Sequence, residues 1–320
     1  MAMTATRSSR RSPSAPPPGL RKKGAIQRQL TRIGWLYSSP ALLIIGAVTL
    51  FPIAYSVVMS LSNVNVTGAG FELDGFTLQN YKIVFTSSRW QYALLFTIGF
   101  TIVTVSVELV LGTMIALVLQ KLVALRGWMM AFLLIPWSLI TVISAVLWGY
   151  IYDPTYGAAD WIFQHLGLGS PIILGSPGPA IVAMIIADVW KTTPFVAILV
   201  LAGLVMLPDD VYEAAEVDGS TGWQTFWRIT VPLLRPTLAL AVLFRVLQAF
   251  GVFDLPFVLT QGGPQNATTS LAILGYQVMF QNLQFGTGAA VAVTSALLVI
   301  IGCLIFLPMF KSQVSDSEGN

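Results

Sequence analysis

Between Gly34 and Leu61 the chain carries no Asp, Glu, Lys, Arg or His, and five further stretches are nearly as free of charge. These lie near 93–120, 128–151, 180–206, 234–257 and 288–310. Each is long enough to cross a hydrocarbon core of roughly 30 Å as a helix of about 20 residues. In lipid every backbone donor and acceptor must be satisfied within the protein, which leaves only helices and closed barrels. The apolar runs are continuous rather than alternating, so a barrel is excluded. An all-α membrane protein with six transmembrane helices is expected. Composition agrees: 55% of the 320 residues are hydrophobic, 10% are charged, and the mean hydropathy is +0.77. A soluble domain is about a quarter charged, which excludes an ordinary soluble enzyme. A disordered chain would need low hydrophobicity and high charge.

Single residues narrow the chemistry. The one cysteine, Cys303, cannot form an internal disulfide and sits in an apolar run, as a small buried hydrophobe does. The one histidine, His165, excludes a metal site built on a histidine cluster. The pI is near 9.0, but the excess cations are terminal and run straight into an apolar stretch. That arrangement belongs to membrane topology rather than nucleic-acid binding. Residues 1–33 form a Ser/Pro/Arg-rich leader whose first half is expected to be disordered. Residues 20–33 suit a short helix on the membrane surface, with Leu20, Ile26, Leu30 and Ile33 turned inward. A secretory signal is excluded, because its apolar core is only about 7–15 residues long.

Charge placement sets the expected orientation. Eight cations lie in the first 32 residues, and Lys121, Arg126, Arg228, Arg235 and Lys311 fall on the same side of the expected helices. The other side holds only Lys82 and Arg89. Lys and Arg collect on the cytoplasmic side, so both termini are expected inside a bacterial-type inner membrane. The chain then divides into a cytoplasmic leader 1–33, a first span 34–62, an outer loop 63–92, a permeating core 93–310 and a cytoplasmic tail 311–320. Further outer loops fall near 152–179 and 258–287. In the first of these, Gly157, Gly167, Gly169, Pro154 and Pro171 make a series of turns, as a partner-docking surface or a plain connector would.

The cytoplasmic connection 207–233 is unusual, being amphiphilic and acidic where a plain connector would be short and basic. Pro208 stops the preceding helix, and Asp210 with Glu213 reads as an N-cap pair for a new one. Gly219 is expected to end that helix in a left-handed conformation. A second short helix, Trp223 to Ile229, would carry an aromatic face before Pro232 opens the next span. Two short helices joined at a glycine form a rigid knob that a cytoplasmic partner can grip.

Here the sequence resembles a known family. Glu213-Ala214-Ala215, three residues, Gly219, nine residues, Ile229, one residue and Val231-Pro232 is similar to the EAA motif of ABC-importer permeases, with Val231 in place of the usual Leu. Trp190 to Phe195, Leu201 to Leu204, Phe253-Asp254 and Leu259 to Pro264 resemble carbohydrate-importer permeases of the maltose-transporter type, though Gln261 interrupts the commoner Thr-Gly-Gly-Pro. Trehalose importers are similar around Lys191 to Phe195 and Ile273 to Tyr276. The resemblance implies a type I importer fold and three kinds of partner besides membrane lipid. These are a second, related permease, two ATPase subunits, and an extracytoplasmic sugar-binding protein. It assigns ATPase coupling to Glu213, Ala214, Ala215, Asp218, Gly219, Trp223, Ile229 and Pro232. No cofactor is expected in this chain, and ATP and Mg are expected on the partner ATPase. Gly19 and Gly24 have the spacing of a phosphate-binding loop, but Ala25 and Ile26 stand where Lys and Ser/Thr are needed.

Charged residues in spans are expensive and need a partner, water or a function. Glu108, Asp188, Lys191, Arg245 and Asp254 are such residues. Two readings stand. Either Arg245, Gln248 and Asp254 face a translocation path, or Glu108, Asp188, Lys191 and Arg245 pair to fix helix packing. Sugar recognition combines planar polar groups with aromatic faces, which Phe250, Phe253, Phe257, Tyr276 and Phe280 offer, although such rings also form interfacial belts. The pathway candidates are therefore Lys191, Arg245, Gln248, Phe253, Asp254 and Tyr276. The expected mechanism is alternating access, with no covalent chemistry on this chain. Rival readings are a permease for an anion such as glycerol 3-phosphate, an ion-coupled secondary transporter using Glu108 or Asp188, and an intramembrane transferase, for which no catalytic constellation is evident.

Overall fold

The computed structural model describes residues 20–68 and 70–317. The disorder expected for the first half of the leader falls outside this range. Helix α1 (Leu20–Ser60) carries the basic stretch and the first apolar run without a break, so the separate surface helix expected over 20–33 is continuous with the first span. Pro40 does not end it. A proline removes the donor to the carbonyl four residues back, and here the Ser39 hydroxyl donates to that carbonyl, Leu36 O, at 3.0 Å. Up to Tyr55 the helix is a unit by itself, with Trp35, Leu43, Val48 and Phe51 exposed around it. A helix that is apolar all round has the character of a membrane span.

The second unit begins at Ser56. Strands β1 (Ser62–Thr67) and β2 (Gly70–Phe76) pair antiparallel, with Asn63 opposite Asp74 and Val66 opposite Phe71. This hairpin adds a small β element to the all-helical expectation. Helix α2 (Gln79–Thr86) then buries Asn80. Its amide nitrogen donates to Ser60 O (3.1 Å) and Ser62 O (3.0 Å), and its oxygen accepts from the Thr287 hydroxyl (3.3 Å). One side chain thus ties the hairpin to the last span.

Helix α3 (Ser88–Lys121) packs along α7, whose range is Pro177–Val205. A Cβ at Gly112 would meet Val196 Cγ1 at 2.7 Å and the Ala197 nitrogen at 3.1 Å. Helices in lipid gain most from close van der Waals contact, so small residues collect where they touch; Ala116, Val196, Val200 and Ala241 are buried in one such cluster.

Between them lie α4 (Arg126–Ser138), α5 (Thr141–Ile151) and the short α6 (Ala158–His165). The single helix expected over 128–151 is corrected: it breaks into α4 and α5, which are bent by 89° to each other. Leu139 and Ile140 are both extended, just past Pro136 in the last turn of α4. Ahead of α6 the Asp153 carboxylate accepts from the backbone N–H groups of Thr155 (2.8 Å) and Tyr156 (3.3 Å), which hold it below the usual carboxylate range.

After α7 come α8 (Asp209–Val217), α9 (Gly222–Thr225) and a π-helical turn, Phe226–Thr230, that runs directly into α10 (Val231–Phe250). The second helix of the knob is therefore continuous with the fifth span. That span, expected unbroken over 234–257, is interrupted at Gly251 before α11 (Asp254–Leu259). Helix α12 (Leu271–Tyr276), a second π-helical turn (Gln277–Gln281) and α13 (Phe285–Ser317) follow. Among the described residues five helical stretches are long and apolar enough to cross a membrane, and the bent α4–α5 pair makes a sixth.

Candidate functional site

The 207–233 connection folds into two short helical arms. Helix α8 is capped by Pro208 with no side-chain bond, so the Asp210–Glu213 capping pair expected from the sequence does not form. Asp209 and Asp210 sit in the first turn instead, where negative charge suits the positive end of the helix dipole. The other end follows expectation. Asp218 is the C-cap and Gly219 takes φ +72°. The Gly219 N–H donates to Glu216 O (3.0 Å) and the Ser220 N–H to Ala215 O (2.9 Å), a Schellman closure that a Cβ disfavours. Helix α9 carries a capping box not among the sequence expectations: Thr221 and Gln224 bond each other's backbone N–H. Its signal was the Thr-x-x-Gln spacing.

Ala215 is buried against its own chain, whereas Glu213 and Ala214 are exposed. Trp223 is 72% and Trp227 52% exposed, edge to face at 5.6 Å. Ile229 is half-buried in the π-helical turn, and Pro232, which has no N–H to donate, follows at the start of α10. The Tyr212 and Thr230 hydroxyls meet at 3.2 Å and join α8 to the foot of α10. A cleft of about 1150 Å³ opens between these arms and the end of α3, walled by Leu117, Lys121, Glu213, Glu216, Trp223 and Phe226.

A second cavity, about 500 Å³, lies where the third and fifth spans break. Broken helices are tolerated at membrane depth where the freed backbone lines a cavity. Trp137, Thr141, Lys191, Gln248, Phe253 and Asp254 line it, together with Arg245. Arg245 is 2% exposed and Glu108 0%. The guanidinium bonds Glu108 through both Nε and Nη2, the latter at 2.8 Å, and Nη2 also donates to Asp188 Oδ2 at 3.0 Å. Its Nη1 donates to Gln248 Oε1 at 2.8 Å. The Thr192 hydroxyl reaches Glu108 Oε1 at 2.6 Å. Three spans are thus joined by buried charge, and Arg245 belongs to both sets that the sequence suggested. Lys191, by contrast, is half-buried and takes part in no ion pair among the described residues.

Tyr276 does not line the cavity but stands behind it. Its ring meets Phe253 at 5.6 Å and Phe257 at 5.3 Å, and Phe280 lies at 5.5 Å. Phe253 connects this stack to the cavity wall. Phe250 packs instead against the apolar cluster of Val84, Trp90 and Leu271.

The pattern of binding-protein-dependent transport system inner membrane components matches residues 85–310. The chain is 38% identical over 277 residues to the trehalose/maltose transport system permease protein MalF of Thermococcus litoralis, covering 86% of this chain and 92% of that one. It is 34% identical over 287 residues to the trehalose transport system permease protein SugA of Mycobacterium tuberculosis, covering 90% and 91% respectively. In fold it matches a chain of a bacterial ABC transporter involved in the import of the acidic polysaccharide alginate. The TM-score is 0.77 at 20% identity, over 90% of this chain and 99% of that one. The chain belongs to the inner membrane components of binding-protein-dependent transport systems, as a multi-pass permease subunit with the type I ABC-importer fold.

Proposed function

We propose that this permease carries a neutral carbohydrate, a disaccharide such as trehalose or maltose, into the cytoplasm of the cell by ATP-driven alternating access. The observation that carries this reading is the cavity at the two broken spans. It places the donors of Lys191 and Gln248, the carboxylate of Asp254 and the rings of Trp137 and Phe253 around one space of about 500 Å³. Polyols need donors and acceptors on fixed sides and an apolar face to lie against. Its charge supports a neutral cargo over glycerol 3-phosphate. Arg245 is already committed to Glu108 and Asp188, which leaves Lys191 and Asp254, one of each sign, as the remaining charges in the wall.

In this reading both termini are cytoplasmic, by the distribution of Lys and Arg. The α8–α9 arms face two ATPase subunits that hold ATP and Mg, a related permease completes the pathway, and an extracytoplasmic binding protein delivers the sugar. Closure of the ATPases moves the arms, and the spans rock between two states that differ in which side the cavity opens to.

The assembled complex in proteoliposomes tests this. ATP-dependent uptake of labelled trehalose or maltose, uncompeted by glycerol 3-phosphate, is the expected result. Gln248→Ala is expected to lower uptake efficiency about tenfold, as loss of one polar contact of about 1.5 kcal/mol does. Uptake without ATP, transport of the anion instead, or unchanged kinetics in Gln248→Ala would each contradict the reading.

A further inference from the structure

The carboxamide of Gln248 has two chemically different ends, and only one of them can face Arg245. A guanidinium carries donors and no acceptor. The Gln248 atom 2.8 Å from Arg245 Nη1 must therefore be the oxygen, which leaves the NH₂ group free of that contact on a side chain that lines the cavity. The orientation of the guanidinium is in turn set from behind. Glu108 lies on α3, is 0% exposed and does not line the cavity. It grips Nε and Nη2 of Arg245 together, the two-pronged geometry that fixes a guanidinium in its plane. Asp188 takes the remaining Nη2 hydrogen, and the Thr192 hydroxyl anchors Glu108 Oε1. The guanidinium is thereby held on three of its hydrogens by two carboxylates.

We propose that Glu108 is a positioning residue for transport: acting through Arg245, it locks the Gln248 amide so that its NH₂ group is presented to the sugar as a donor. The proposal rests on the reading of this cavity as the sugar path. It gives a fully buried carboxylate on the second span a part in recognition, although it never meets the cargo. Without Glu108, the guanidinium is free to swing toward Asp188, and the amide of Gln248 loses the contact that fixes which end faces the cavity.

The test is a double-mutant cycle on the assembled importer in proteoliposomes, measuring uptake of labelled trehalose or maltose. Glu108→Gln is expected to raise KM about tenfold while turnover per assembled complex changes little, because a contact equal in ground and transition states is lost. Gln248→Ala is expected to do the same, and the double variant to be no worse than Gln248→Ala alone, since both act on one donor. Glu108→Asp, which keeps the charge, should restore part of the affinity. Where Glu108→Gln does not assemble, Thr192→Val replaces it as the milder loosening of the same anchor, with the same non-additivity expected against Gln248→Ala. Effects on KM that multiply overturn the positioning role and leave the sugar path standing, as does a loss of assembled complex with KM unchanged in either loosened variant. Unchanged kinetics in Gln248→Ala itself overturn the reading of the cavity, and the positioning role with it.

Discussion

Arg245→Ala is expected to destabilise the folded permease by about 3–5 kcal/mol, the cost of leaving a buried charge uncompensated when its partner is removed. The basis is local and specific. Glu108 and Asp188 are both buried at mid-span, and Arg245 bonds both of them. Alanine leaves both carboxylates without their cation, and of the two only Glu108 keeps the Thr192 hydroxyl as a donor. At about 1.4 kcal/mol per tenfold, the ratio of folded to unfolded protein falls by more than a hundredfold. Thermal unfolding of the detergent-solubilised protein, followed by loss of the monodisperse peak on gel filtration, measures it. The triple variant Arg245→Met, Glu108→Leu, Asp188→Leu should regain most of the loss, because well-packed apolar groups replace buried ion networks at little cost. An Arg245→Ala protein that melts with the wild type would mean that water reaches the carboxylates and that the network does not hold the spans.

The second large effect concerns the arms. Gly219→Pro is expected to abolish ATP-driven uptake while the protein still inserts. Proline fixes φ near −65°, whereas Gly219 sits at +72° and donates its N–H to Glu216 O. Both the conformation and the bond are lost, and with them the angle between α8 and α9. Gly219→Ala separates the two causes. No atom lies within 4 Å of a Cβ there, so only the left-handed strain of about 1–2 kcal/mol remains, and reduced rather than absent uptake should follow. Glu213→Lys leaves the backbone alone but reverses an exposed charge in the wall of the 1150 Å³ cleft that Lys121 also lines. It too should lose uptake, and the ATPase should no longer co-purify. Normal uptake in Gly219→Pro or Glu213→Lys would remove the arms from the mechanism.

The spans were readable because lipid leaves a chain no choice: a run such as Gly34 to Leu61 has nowhere else to go. The breaks within spans were not readable from hydropathy, since Leu139, Ile140 and Val252 are as apolar as their helical neighbours. Pro136 and Gly251 were the available signals, but prolines such as Pro40, Pro194 and Pro236 sit inside unbroken helices, so the residue alone does not decide. The hairpin was written in the alternation of Asn63-Val64-Asn65-Val66-Thr67 before a glycine-rich turn, a short pattern easily taken for an irregular loop. In the arms the Gly219 stop was legible because left-handed geometry favours one residue type. The start was misassigned, because Asp209 and Asp210 both suit a helix N-terminus and the backbone chose Pro208 as the cap. Charges at similar depth on the second, fourth and fifth spans pointed to a cluster. Which of them pair depends on helix rotation, and that is set by packing such as the Gly112–Val196 approach. Lys191 and Asp188, three residues apart, both line the cavity, but only Asp188 is turned so that it pairs with Arg245.

The segment between the fourth and fifth spans is proposed as the handle by which a separate ATPase drives the permease. Site-directed cross-linking tests it most directly. With Cys303, the one native thiol, changed to Ser, single cysteines at the exposed positions Ala214 and Gln224 are treated with a short bifunctional reagent in inside-out vesicles. A covalent adduct with the nucleotide-hydrolysing subunit is expected, its yield changing between ATP-bound and nucleotide-free states. Failure to capture that subunit from either position, or labelling of these cysteines by an impermeant thiol reagent applied to intact cells from outside, would contradict it.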